Sequence, residues 1–271
     1  MKIFKNKLNL KKEISKADCI SFVPTMGGLH KGHLSLIKKA KSFKCKILVS
    51  IFVNPKQFNN KIDFQNYPRT IKNDIKVLKR NKVDYLYLPS FNEIYGFKPK
   101  NKVYLNKFSK QLCGKFRRSH FEGVLNVVNR FLEIIKPKYI YLGLKDLQQL
   151  TLINLHILKN KIKTKVIKCK IIRDNNGVAL STRNFHLNNS ELKIASNVYK
   201  YLFKLKKKNS KVFSPLNISS LKEDLISLGV NKVDYVENID LKKLKKSYKS
   251  RINSRIFIAY YLKNIRLIDN I

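Results

Sequence analysis

Short, predominantly apolar runs separated by helix-length amphipathic segments recur through the first two thirds of this 271-residue chain, and nothing else in it restricts the fold as much. Residues 19–24 (CISFVP) and 46–53 (KILVSIFV) lack the regular polar–apolar alternation of a strand with one wet face, so each reads as a strand buried on both faces. Between them, residues 33–42 (HLSLIKKAKS) space Leu34, Ile37 and Ala40 along one face of a helix. Two such strands joined through a helix make a βαβ unit, because parallel neighbours need a crossover that a tight turn cannot supply. The alternation continues with a helix over 70–81, a strand at 83–88 (VDYLYL), a helix over 123–135, a strand at 139–142, a helix over 147–158 and a strand at 165–172.

A turn cluster at 174–177 (DNNG) ends the alternation. Beyond it come Lys-rich helical segments and two strand-like runs, 233–236 and 255–262. The expectation is an α/β chain with two domains: a Rossmann-like, doubly wound parallel sheet over residues 1–173, then a smaller C-terminal α+β domain over 174–271. The lysine runs at 206–208 and 242–246 read as solvated helix faces.

An apolar fraction of 44% is ordinary for a chain that buries a core, but 58 Lys and Arg against 17 Asp and Glu leave a formal net charge of +41. The excess marks polyanionic partners, or it is compositional drift toward AT-rich codons. The lysines are scattered along the whole length, Trp is absent and Gly numbers only nine, which favours drift, since a dedicated nucleic-acid binder clusters its charge on one face. Cys19, Cys45, Cys113 and Cys169 have neither the close pairs of a zinc site nor the density of a disulfide scaffold, and read as reduced thiols. The opening MKIFKNKLNLKKEISK lacks the apolar run of about 7 to 15 residues that a signal peptide needs, and no stretch approaches the roughly 18 apolar residues of a membrane span. A cytoplasmic location without a membrane partner is expected.

Residues 24–33 (PTMGGLHKGH) follow the first buried strand and open the first crossover helix, at the carboxyl end of a strand, where doubly wound sheets bind ligands. Gly27 and Gly28 let the backbone approach a ligand closely, and the helix N-terminus after them presents N–H groups and a positive dipole end to phosphate. His30 and His33, three apart around Gly32, can address the same phosphate and donate to charge that develops during phosphoryl displacement. The other reading is a pair of surface histidines in a tight turn. With five His in the chain and two of them in this turn, the functional reading is the stronger.

His-x-Gly-His after a first strand is similar to the signature of the nucleotidylyltransferase and class I aminoacyl-tRNA synthetase superfamily. PTMGGLHKGHLSLI, SIFVNPKQF, YPRT, GLKDLQQL and ALSTRN, in this order and at these spacings, with a closing RLIDN, resemble the pantothenate synthetase (pantoate–β-alanine ligase) family. The resemblance implies that pantoate attacks the α-phosphate of ATP to form pantoyl adenylate and pyrophosphate, with Mg2+ offsetting the triphosphate charge, and that β-alanine then takes the pantoyl group. It implies a homodimer paired through the larger domain. On this resemblance Met26, Gly27, Gly28, Leu29, His30, Lys31, Gly32 and His33 bind ATP, with His33 as the catalytic histidine and His30 beside it. Gln57 and Gln149 hold pantoate, in a site shared with β-alanine, through carboxamides that donate and accept without adding charge. Gly143, Leu144, Lys145 and Asp146 lie along the nucleotide, Lys145 suited to phosphate oxygens and Asp146 to ribose hydroxyls. Ile172 offers backbone contacts to adenine. Leu180, Ser181, Thr182 and Arg183 form a mobile phosphate-binding segment of the smaller domain, which serves as a lid.

The chain departs from the family pattern at a few positions. Leu144 and Cys113 stand where members usually carry Glu, Arg118-Ser119 stands for Pro-Gly, and Thr182 for Ser. The lost carboxylates either loosen a structural ion pair or mark a slowly degrading enzyme. Two other functional classes stay open. A different nucleotidylyltransferase with the same histidine motif has no reason to keep both Gln57 and Gln149. A basic nucleic-acid binder predicts charge interleaved with stacking aromatics, whereas Tyr and Phe here fall mostly on strand or core spacing, so no specific nucleic acid is expected.

Overall fold

The computed structural model describes residues 1–211, 218–247 and 253–271. Two compact units result, one from Met1–Ser109 with Arg117–Lys170, the other from Lys110–Phe116 with Ile171–Ile271. In the first unit, β1 (Lys2–Phe4), β2 (Ile20–Thr25), β3 (Lys46–Ile51), β4 (Tyr85–Tyr87), β5 (Tyr139–Gly143) and β6 (Lys165–Cys169) form one sheet in the order β1-β4-β3-β2-β5-β6, and every neighbouring pair is parallel. The chain runs from β2 outward through β3 to β4, then returns to the other side of β2 for β5 and β6, so the strand order reverses at β2. Doubly wound sheets bind ligands at such a reversal, which here falls at the carboxyl ends of β2 and β5.

The helices, in chain order, are α1 (Lys7–Ile14), α2 (Lys31–Lys41), α3 (Lys61–Gln65), α4 (Ile71–Arg80), α5 (Phe91–Tyr95), α6 (Cys113–Phe116), α7 (His120–Ile135) and α8 (Leu147–Lys159), of which α6 belongs to the second unit. Strand side chains alternate between two cores, as period two requires. Val23, Ile47, Val49, Ile51, Leu86 and Tyr141 pack with Leu36, Ile37 and Ala40 of α2 and Leu78 of α4. On the opposite face Phe131 of α7 meets Phe22 of β2 at 5.5 Å and Tyr87 of β4 at 6.2 Å between ring centroids. Both faces are thus covered, and the apolar runs of β2 and β3 follow from that. The doubly wound expectation holds. Element ends differ by a few residues: α2 starts at Lys31 because His30 caps it, and α7 starts at His120 rather than 123. The strand expected at 165–172 stops at Cys169, and residues from Ile171 belong to the second unit.

The cysteine expectation is corrected. Cys19 and Cys45 are joined by a disulfide with their Cα atoms 4.9 Å apart, while Cys113 and Cys169 are buried free thiols. The 26-residue separation hides a pairing that the sheet creates: Ile20 lies opposite Lys46 in the parallel register, so the residues just before them are also neighbours.

In the second unit, α9 (Asn189–Lys211), α10 (Ile218–Ser227) and the strands β7 (Lys232–Asp240), β8 (Lys245–Lys246), β9 (Ser254–Leu262) and β10 (Ile265–Asn270) form an α+β fold around an antiparallel sheet of order β10-β9-β7-β8. Its core gathers Val198 and Leu202 of α9, Leu221 and Leu225 of α10, and Val236, Ile256 and Ile258 of the sheet. The lysine runs are corrected in part. Lys206 is half-buried on α9 and burial lowers its pKa, Lys207 is exposed, and the side chain of Lys208 lies outside the described residues. The 242–246 run is not helical: Lys242 and Lys243 are exposed in the turn after β7, where the Asp240 carboxylate accepts their N–H groups, and Lys245 and Lys246 are exposed on β8. Among the described residues, no helix is long and apolar enough to cross a membrane.

The Cys113 departure has a physical account within this unit. Arg266 donates from Nε to Asp234 at 2.8 Å and turns both terminal nitrogens toward the Cys113 sulfur at 3.7 Å, while the Tyr235 hydroxyl lies 3.0 Å from that sulfur. A carboxylate at position 113 would be a second acid on a guanidinium that already has one, so its replacement by a thiol leaves Arg266 paired.

Candidate active site

Met26 to His33 form the turn from β2 into α2. Gly27 and Gly28 hold φ of +84° and +60°, the left-handed region that glycine reaches without steric cost. A Cβ on Gly27 would stand 3.1 Å from both the Asp74 carboxylate and Ile51, so the position is also closed by packing. His30 is the N-cap of α2: its Nδ1 accepts the Gly32 N–H at 3.1 Å, and the His33 Nδ1 accepts the His30 N–H at 3.4 Å. The two rings lie 4.2 Å apart between centroids. An Nδ1 that accepts a backbone N–H carries no proton, so each neutral ring bears its hydrogen on Nε2. Burial, with Lys145 adding to it, lowers the His30 pKa to about 4; burial, then His30 and Lys145, lowers that of His33 to about 3. Both imidazoles are neutral donors at pH 7.

The sequence reading expected open N–H groups here, and that is corrected for most of the turn. Gly27 N–H is taken by the Thr25 hydroxyl at 3.2 Å, Gly28 and Leu29 by Asp74 at 3.0 and 2.9 Å, and His30 and Gly32 by the imidazoles. The donor capacity of the helix start is handed to the Nε2–H groups of the two histidines.

Gln57 closes a 3-10 turn, Pro55–Gln57, after β3. Its Nε2 lies 2.7 Å from the Met26 sulfur and its Oε1 accepts from Asn54 at 3.3 Å. The turn is fixed by side chains that sequence reasoning passed over. Buried Asn54 donates to the Gly123 carbonyl at 3.1 Å and accepts from the Tyr95 hydroxyl at 2.9 Å. His120 accepts on Nε2 from Arg117 at 3.0 Å and donates from Nδ1 to the Gln57 carbonyl at 2.7 Å. Gly123 admits no Cβ, which would fall 2.1 Å from the Lys56 carbonyl, so α7 lies directly on the turn. The Asn-Pro pair of SIFVNPKQF, a turn signal in itself, was the available clue to Asn54.

Gly143 ends β5, Leu144, Lys145 and Asp146 form a 3-10 turn, and α8 begins at Leu147. Lys145 Nζ is 3.8 Å from Asp146, and its charge acts on both His30 and His33, which puts this loop beside the β2–α2 turn. Of the two glutamines that open α8, Gln148 is buried and donates to the Phe108 carbonyl at 2.8 Å, whereas Gln149 is partly exposed and its side chain makes no hydrogen bond among the described residues.

Ile172 and Leu180 to Arg183 belong to the second unit. The DNNG cluster closes a small hairpin bridged by Arg173 and Ala179, in which Leu180 N–H donates to the Ile172 carbonyl at 2.9 Å. Ser181 caps the 3-10 helix Thr182–His186 by accepting the Arg183 N–H at 3.3 Å, and Thr182 is buried. Among the described residues no three His, Cys, Asp or Glu side chains gather as a metal site.

Known proteins resemble the chain along its whole length. The family described as pantoate-beta-alanine ligase matches residues 2–271. Pantothenate synthetase of Fervidobacterium nodosum is 39% identical over 266 residues, covering 96% of this chain and 93% of that protein. Its counterpart in Francisella tularensis subsp. novicida is 39% identical over 268 residues, covering 97% and 92%. The crystal structure of pantoate-beta-alanine ligase from Francisella tularensis complexed with beta-gamma ATP and beta-alanine matches with a TM-score of 0.84 at 37% identity, covering 100% of this chain and 97% of that one. Pantothenate synthetase from Thermus thermophilus matches with a TM-score of 0.90 at 28% identity, covering 100% and 99%. With a parallel sheet reversing at β2 and a paired-histidine turn at that reversal, this chain belongs to the pantoate–β-alanine ligase family.

Proposed function

We propose that this pantoate–β-alanine ligase works in two steps at one nucleotide site. A carboxylate oxygen of pantoate attacks the α-phosphorus of ATP, and pyrophosphate leaves with the electrons of the broken P–O bond. The β-alanine amine then attacks the acyl carbon of pantoyl adenylate, AMP leaves, and a proton departs from nitrogen. The observation that carries the reading is the pair of neutral, Nε2–H-bearing imidazoles held on the start of α2 with Lys145 beside them. Fixed donors of this kind stabilise charge that grows on phosphate oxygens without the cost of reorganising water.

In this reading Met26 to His33 bind ATP, His33 and His30 donate to the reacting phosphate, and Lys145 and Asp146 hold phosphate and ribose oxygens along Gly143 and Leu144. Gln57 and Gln149 hold pantoate, and β-alanine enters next to them. Ile172 supplies backbone contacts to adenine, and Leu180, Ser181, Thr182 and Arg183 hold the departing pyrophosphate. The co-crystallised nucleotide and β-alanine of the Francisella tularensis relative support this assignment of substrates. Magnesium enters as part of the substrate, a hard dication that keeps much of its water and is held mainly through the triphosphate; this suits described residues that gather no metal cage. The assembly implied by the family is a homodimer.

Pyrophosphate exchange into ATP tests the reading. Exchange should require pantoate and magnesium and proceed without β-alanine, because the adenylate forms before the amine is needed. Exchange supported by a different acid, or by none, would overturn it.

A further inference from the structure

We infer that Asp74 is a positioning residue of the nucleotide turn, acting through the backbone of Gly28 and Leu29. The inference rests on the reading that this turn binds ATP. Asp74 reaches the turn from the first helical turn of α4, 46 residues downstream of Gly28, and has 0% of its surface exposed. Its Oδ2 accepts the Gly28 N–H at 3.0 Å, its Oδ1 the Leu29 N–H at 2.9 Å, and Oδ2 also accepts the Thr70 hydroxyl at 3.1 Å. Thr70 is the N-cap residue of α4, yet it makes no capping hydrogen bond; its hydroxyl goes to the carboxylate.

The chain has only 17 acidic side chains for 58 cationic ones, and Asp74 forms no ion pair among the described residues. Three hydrogen-bond donors balance its charge instead. Two consecutive N–H groups on two oxygens of one rigid carboxylate fix the peptide planes of Gly28 and Leu29, and those planes set where the backbone enters His30. The same bonds withdraw both N–H groups from any phosphate. The turn is therefore shaped by Asp74, and phosphate recognition passes to the side chains that the shape delivers, His30, His33 and Lys145.

Asp74→Asn tests this, because an amide is nearly isosteric but offers one N–H group a donor where it had an acceptor. In pantoate-dependent exchange the variant should lose about 10²-fold in kcat/KM for ATP, the scale of a misplaced reacting group, while the KM for pantoate stays within about twofold. The amides of Gly28 and Leu29 should lose hydrogen-exchange protection in the free enzyme. Thr70→Val removes only the hydroxyl contact and should move the KM for ATP in the same direction by about threefold, which keeps the test decisive if Asp74→Asn fails to fold. Unchanged KM for ATP in the variant that folds, with activity merely scaled to the folded fraction, overturns the inference, as does undiminished protection of both amides. If the wild type itself shows no pantoate-dependent exchange while Asp74→Asn still deprotects the two amides, the ligase reading fails and the shaping of the turn stands.

Discussion

At the scale of single residues, the histidine pair shows how one backbone decision sets the chemistry. Because each Nδ1 is occupied by a backbone N–H, neither ring can take a proton without losing that bond, and burial opposes the charge as well. In the proposed reading His33 is therefore a fixed neutral donor. His33→Ala should lower the exchange rate constant by roughly 10²- to 10³-fold, the scale for removing one donor to developing charge, and an unchanged rate would make the histidine structural. The pH dependence carries a sign. A histidine with a depressed folded-state pKa favours folding fully above its unfolded value of about 6.5, and that contribution is lost as pH falls from there through about 4 for His30 and about 3 for His33. His156, whose pKa burial also lowers, has the same sign. The acid limb of the exchange profile should therefore bend below pH 5, and a bend at 6.5 would show that these rings titrate as free imidazoles. Sequence made the two histidines and the Gly27-Gly28 turn legible because chemistry-bearing types stood close together along the chain, whereas Gln57 came from the family resemblance alone. Asp74, Asn54 and His120 were not legible: each reaches its partner across more than a helix of intervening chain, and a lone Asp on a lysine-rich helix looks like any solvated acid.

At the scale of elements, β2, α2 and β3 make one lever arm with the site at its carboxyl end and the Cys19–Cys45 bridge at its amino end. Closing a 26-residue loop restricts the unfolded chain, worth about 3 to 4 kcal/mol in the chain-entropy account. Cys19→Ser, or wild type with dithiothreitol, should melt lower by roughly 6 to 16 °C for a unit of this size, with the exchange rate constant unaffected because the bridge lies at the far end of the strands. Equal melting of oxidised and reduced enzyme would show that the bridge does not form. The doubly wound sheet was legible from β2, β3 and β5, whose apolar runs answer to burial on both faces. β1 was missed because three residues, two of them exposed, carry no period, and β10 because its sequence was read as a family ending and not as a strand. The bridge was missed because strand register, and not spacing, brings the two cysteines together.

At the scale of the whole molecule, the charge of +41 is best understood from where its few acids sit. Asp74 holds a backbone turn, Asp84 accepts the Ile47 N–H at 2.9 Å, and Asp234 and Asp269 pair with Arg266 and Arg173 at 2.8 and 2.6 Å. These acids hold fixed donors, while many exposed positions on α1, α2, α4 and the turn after β7 carry lysine. That arrangement is what drift limited by folding would leave, since losing a carboxylate costs more where it holds a fixed donor than where it is solvated. If the charge is drift, a polycation of this kind should bind nucleic acid through counterion release alone. RNA should bind with micromolar or weaker affinity, without sequence preference, and lose about 10³- to 10⁵-fold in affinity between 50 and 200 mM salt if 6 to 10 phosphates are neutralised. Pantoate-dependent exchange at about 0.15 M ionic strength should then be indifferent to added RNA, because the proposed donors to ATP are fixed in the β2–α2 turn and not among the scattered lysines. Filter binding and exchange measured over the same salt series decide the point. A defined RNA that binds tightly at physiological salt and alters the exchange rate would make the lysines a partner surface, and drift could no longer account for them.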